Sequence, residues 1–193
     1  MVKSKDFEKL RAELEAEDAI REQIIKDQRD VIKLSKKVIY SIHRGDVSAA
    51  REDGEVMQAA LKKLVLLTKK HPAMYYSGTI KVAEQEVVEA LALLHVASNK
   101  PIPTHTALGV SKENYLLGVC DLFGELSRRA TNAAIRKEYA EALRMKNIAG
   151  DLYDELMRFD FRNSELRKKF DGVKYEVKKL EQLALELHLG KKV

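Results

Sequence analysis

Two segments carry acidic side chains where a helix would otherwise be apolar. In KVAEQEVVEALALLH, residues 81–95, Glu84, Glu86 and Glu89 interrupt a run of Val, Ala and Leu. At about 100° per residue, Glu86 and Glu89 share a narrow face with Val82, Ala83, Ala90, Leu93 and Ala97, while Glu84 points the opposite way, toward solvent. In YLLGVCDLFGELSRRATN, residues 115–132, Asp121 and Glu125 stand one turn apart. Leu117, Gly118, Gly124, Arg128 and Asn132 project to the same side. A mid-helix glycine costs about 1 kcal/mol relative to alanine. Two of them beside an acidic pair imply that a helix or a ligand comes close to the backbone.

If the two pairs face each other, four carboxylates repel unless protons or cations compensate. Hard oxygen donors suit Mg²⁺, or Mn²⁺ in its place. A metal there would activate water and neutralise phosphate charge, which is the chemistry of phosphodiester hydrolysis. Acidic residues at helical spacing are otherwise usually solvated, and spacing alone leaves both readings open.

The elements that must position these acids are helical. The chain has 193 residues, few glycines and only three prolines, and no segment shows period-two alternation. The pattern predicts helices over Ser4–His43, Val47–Lys70 and from Ser77 or Thr79 to Ala97. Further helices are expected over Lys112–Ala130, Asn132–Phe159 with a possible break at Gly150, and from Asn163 or Ser164 to His188. Gly45-Asp46 reads as a C′ glycine followed by an N-cap, and His71-Pro72 as a stop. Gly54 is a weak point in the second helix, and Gly190 ends the last, before a frayed Lys191-Lys192-Val193 tail. SNKPIPTHTALG, residues 98–109, is the one clear loop. The expectation is an all-α bundle of six or seven helices forming a single domain over residues 1–193. A lone cysteine, Cys120, excludes a disulfide framework and reads as a buried core residue. With no long apolar run and no signal peptide, a cytoplasmic protein without membrane contact is expected.

The same segments carry a family resemblance. QEVVEALALLH (residues 85–95), YLLGVCDLFGEL (115–126), KLSKKVIYSIHR (33–44) and KYEVKKLEQL (174–183) together resemble the translin superfamily. The likeness is closest to its translin-associated factor X branch, in an archaeal-type form. Val87 stands where that branch has tyrosine, and the connection between the acidic segments is shorter than in the eukaryotic factor. The resemblance implies a seven-helix bundle assembled as a homo-oligomer, an octamer enclosing nucleic acid. It also implies Mg²⁺-dependent endoribonuclease activity on single-stranded RNA, with single-stranded DNA as a second substrate class. Its catalytic carboxylates match Glu86, Glu89, Asp121 and Glu125, which would also hold the metal. A non-catalytic single-strand-binding scaffold is the alternative. An all-α nucleoside triphosphate pyrophosphohydrolase fits the Asp121–Glu125 spacing poorly, and no Glu-x-x-His pair supports a di-iron bundle.

A cationic face on the first helix would meet the nucleic acid. Lys26, Arg29, Lys33, Lys36, Lys37 and Arg44 recur at steps near three and four, with Tyr40 among them. Such a face can follow a phosphate backbone without reading sequence, and the aromatic ring could stack on a base. Arg128 reads equally as a phosphate clamp or an ion-pair partner of a carboxylate. His43 ends a helix where a cation suits the dipole, and His95 reads as a structural hydrogen-bonding group.

Overall fold

The computed structural model describes residues 4–71, 78–162 and 164–190. Within them lie seven helices: α1 (Ser4–His43), α2 (Val47–Lys70), α3 (Thr79–Ala97), α4 (His105–Leu108), α5 (Lys112–Ile135), α6 (Tyr139–Leu156) and α7 (Glu165–Gly190). No described residue is in a strand. Among the described residues no helix is long and apolar enough to cross a membrane. The expected stop at Pro72, the alternative starts at Ser77 and Asn163, and the Lys191–Val193 tail lie outside the described residues.

The punctuation that ends α1 is the one its sequence announces. Gly45 adopts φ +85°. Asp46 N–H donates to Ser41 O (2.9 Å) and Gly45 N–H to Ile42 O (3.0 Å), closing a Schellman motif. The Asp46 carboxylate then accepts from Ala49 N–H (3.0 Å) to start α2. Gly54 does not interrupt α2. It is buried against Leu91 and Leu94 of α3, where a Cβ would stand 3.3 Å from a Leu94 methyl.

Other boundaries differ from expectation. The 98–109 segment contains the single turn α4, capped by Thr104 through Ala107 N–H. The helix expected to end at Ala130 continues to Ile135, and the next begins at Tyr139 rather than Asn132. The break falls at Lys137, which takes φ +63°. Glu138 N–H reaches Ala133 O (2.8 Å) and Lys137 N–H reaches Ala134 O (2.9 Å), a Schellman motif built on lysine. Gly150 does not break α6, and α7 continues two residues past His188.

Helix α3 is the hub. It packs on α1 and α2 on one side and on α5 on the other, while α5 also packs on α6 and α7. Ala83, Val87, Val88, Ala90, Leu91, Ala92, Leu93, Leu94 and Val96 are all buried. Burying apolar surface at about 25 cal/mol per Å² is the main stabilising term, and α3 contributes to it around most of its circumference.

Candidate active site

Helices α3 and α5 come close together at Gly118. A Cβ there would lie 2.6 Å from Gln85 O and 2.7 Å from Val88 Cβ. Only glycine permits this approach, and it sets the register of Glu86 and Glu89 against Asp121 and Glu125. The second glycine, Gly124, meets nothing within 4 Å. Of the two glycines, only Gly118 serves the close approach.

The four carboxylates share one electrostatic environment. Glu89 is the most perturbed: burial, then the charges of Asp121, Glu86 and Glu125, push its carboxyl up to about 8. Asp121 is raised by burial and by Glu86, against the pull of Lys169. Each of the other three acids has its own partner. The Ser35 hydroxyl lies 2.8 Å from Glu86 Oε2 and 2.8 Å from its own Ile32 carbonyl, with one proton for the two. The Lys169 ammonium, from α7, donates to Asp121 Oδ2 and to Gln85 Oε1 (3.2 Å). His43 Nε2 pairs with Glu125 Oε2, and His43 Nδ1 is buried without a partner among the described residues. No described donor reaches Glu89.

The donor set fits a hard divalent cation in kind: four carboxylate groups around a partly buried seam, one of them raised by burial and then by its neighbours' charge. As the side chains lie, no three Asp, Glu, His or Cys residues among those described stand at metal-ligand spacing. Loading would require them to draw together.

Several sequence expectations resolve here. Glu84 does not face solvent; it is 2% exposed. It accepts from Asn114 Nδ2 (2.7 Å) and from Ser111 N–H (3.2 Å), so its charge sits at the N-terminus of α5, where the helix dipole favours an anion. The prediction failed because α3 is buried on the face opposite the acidic seam as well. Val82, expected on the apolar stripe, is exposed. Arg128 lies 3.8 Å from Glu125 Oε2 with its side chain more than half exposed, a geometry that suits either an ion pair or a phosphate contact. His95 Nδ1 bonds Pro101 O (2.7 Å), a structural role. Cys120 is buried, and burial pushes its thiol up to about 12.

Arg29, Lys33, Lys36, Lys37 and Tyr40 on α1, and Arg44 just past its end, are all exposed. Lys37 Nζ is engaged by Asp53 (2.7 Å), and Arg44 lies over the Tyr40 ring, 5.4 Å from its centre. Lys36 and His43 stand two turns apart on one side of α1, so the cationic face borders the carboxylate seam. Sequence reasoning missed Lys169 altogether, and it gave neither Ser35 a role nor His43 its partner. KLSKKVIYSIHR contains the last two, but nothing in the spacing pairs them with acids 51 and 82 residues away.

Comparison with known proteins agrees with this architecture. The Translin family model matches residues 19–191. An uncharacterized protein of Methanocaldococcus jannaschii is 31% identical over 80% of this chain and 70% of its own length. Mouse translin is 27% identical over 96% of this chain and 92% of its own length. The crystal structure of apo-NeC3PO superposes with a TM-score of 0.87 at 29% identity, covering 96% of this chain and 97% of that one. An AfC3PO–duplex RNA complex superposes with a TM-score of 0.86 at 28% identity over the same shares. The chain belongs to the Translin family.

Proposed function

We propose that the protein is a Mg²⁺-dependent endoribonuclease that cuts single-stranded RNA within a hollow homo-oligomer, an octamer on the family resemblance. The observation that carries the reading is the meeting of four carboxylates from two helices at one seam, where burial first, and then the charges of Asp121, Glu86 and Glu125, push the Glu89 carboxyl up to about 8. That arrangement costs stability and gains a purpose when a divalent cation compensates it. Glu86, Glu89 and Asp121 would hold the ion, with Glu125 completing the set. Bound there, Mg²⁺ (or Mn²⁺) would supply positive charge for the scissile phosphate and acidify the attacking water. His43 and Ser35 orient Glu125 and Glu86, and the α1 cations draw the phosphate backbone toward the seam. The AfC3PO neighbour, complexed with duplex RNA, supports RNA as the ligand class.

The test is cleavage of a labelled oligoribonucleotide, single-stranded or duplex, and of a single-stranded DNA control, in Mg²⁺ and in EDTA. Glu89→Ala and Asp121→Ala should each reduce metal-dependent cleavage at least about a hundredfold, since lost metal ligands cost several kcal/mol. Cleavage that survives both substitutions discredits the assigned site.

One observation favours a second reading. Lys169 already pairs with Asp121, and no three ligands stand at metal spacing. A non-catalytic scaffold would therefore bind RNA in a salt-dependent manner and never cut it.

A further inference from the structure

We propose that Lys169 is a built-in counter-cation of the carboxylate cluster, which a divalent ion must displace from Asp121 in order to bind. The proposal rests on the nuclease reading above and deepens it. Lys169 stands on α7, a helix that brings no carboxylate to the seam, and its ammonium is shared between Asp121 and Gln85. It is also the cation whose field offsets the three acids acting on Glu89. The ammonium therefore serves the cluster as a tethered ion of single charge.

Its displacement is physically open. The side chains of Lys169 and Asp121 are 29% and 33% exposed. A lysine head is strongly hydrated and sits on a flexible four-carbon stem, so it can turn to water without disturbing α7. This part-buried pair supplies the attraction of a single charge, whereas a doubly charged ion would interact with several carboxylates at once. The exchange therefore favours the metal once its concentration exceeds a threshold that Lys169 sets. The same pairing explains why the acids do not stand at ligand spacing: Asp121 is turned to an ammonium, and Glu125 to His43.

Mn²⁺ binding to the full chain at pH 8 tests this, read from the EPR signal of the free ion, with the Mn²⁺-induced rise in melting temperature as a second readout. Lys169→Met should bind Mn²⁺ about tenfold more tightly than wild type, because a like charge beside the site is gone. Lys169→Arg should bind it several-fold more weakly, because a guanidinium forks onto a carboxylate more firmly than an ammonium. A merely structural lysine would lower the melting temperature of the metal-free Met variant and leave Mn²⁺ affinity unmoved. Equal or weaker affinity in Lys169→Met overturns the proposal. If that variant does not fold, unchanged or tighter binding in Lys169→Arg does so instead. Wild-type binding that is lost in Asp121→Ala would, in either case, leave the nuclease reading standing. Absence of Mn²⁺ binding in every form, Lys169→Met included, removes both.

Discussion

Replacing Glu89 by glutamine should make the metal-free protein more stable at alkaline pH. The native carboxyl titrates near 8 and the unperturbed one near 4.5. Each unit of difference is worth about 1.4 kcal/mol, so the full shift corresponds to about 5 kcal/mol, and relaxation with partial solvent access brings a working figure to about 2–4 kcal/mol. The sign follows from proton binding. Between these two values the native state holds a proton that the unfolded chain has released, so stability falls as pH rises. The contribution is complete below the unfolded value and gone above the folded one. Glutamine resembles the protonated acid in shape and never ionises. In EDTA the two proteins should therefore differ least near pH 5.5, where most of the contribution remains, and the variant should lead by about 2–4 kcal/mol at pH 9. At this chain length that is roughly 5–12 °C in melting temperature, measured at one fixed protein concentration. Saturating Mg²⁺ should flatten the wild-type profile, because a bound cation favours the ionised acid. A difference between the two proteins that is the same at pH 5.5 and pH 9 would refute the reasoning.

Three further outcomes are expected. Glu84→Ala strands the Asn114 amide and the Ser111 N–H without an acceptor, and should cost about 2–4 kcal/mol in chemical denaturation while leaving Mn²⁺ affinity intact. Gly118→Ala drives a methyl onto Gln85 O and should cost about 3 kcal/mol; Gly124→Ala, with open space around it, should gain up to about 1 kcal/mol, so equal effects from the two would remove the close-approach argument. The double charge reversal Lys33→Glu with Lys36→Glu should weaken RNA binding and reduce the slope of log K against log salt by about 1.4, the share of two phosphate contacts to a single strand.

The helices were legible wherever a boundary was written in residue type. Gly45-Asp46 announces the end of α1 and the start of α2, and the structure places both within two residues of it. Lys137 announces nothing. Its left-handed conformation is held by hydrogen bonds to Ala133 and Ala134 and by the packing of α5 and α6, and a propensity argument sees only a good helix former there. The turn α4 is too short to leave a periodic pattern. Glu84 exposes the main flaw in reading one face from one period, which assumes a helix with a wet side. Around α3 the opposite face is core, and there the carboxylate is satisfied by donors at the start of α5.

The carboxylates themselves were legible because their spacing is local to α3 and α5. Their partners were not, because each arrives from a distant part of the chain: Ser35 and His43 from α1, Lys169 from α7. Those partners decide which acid is left without a donor. A cluster of four equivalent acids would share its strain evenly. Here a hydroxyl, an ammonium and an imidazole each take one acid, and the strain falls on Glu89, the acid that no described donor reaches. Glu89 is thus the most perturbed group because it is buried beside three other carboxylates and has no described donor of its own. On the proposed reading, a metal that enters would have to rebuild these pairings rather than drop into a finished cage, so Lys169 and His43 would set its affinity alongside the carboxylates they hold.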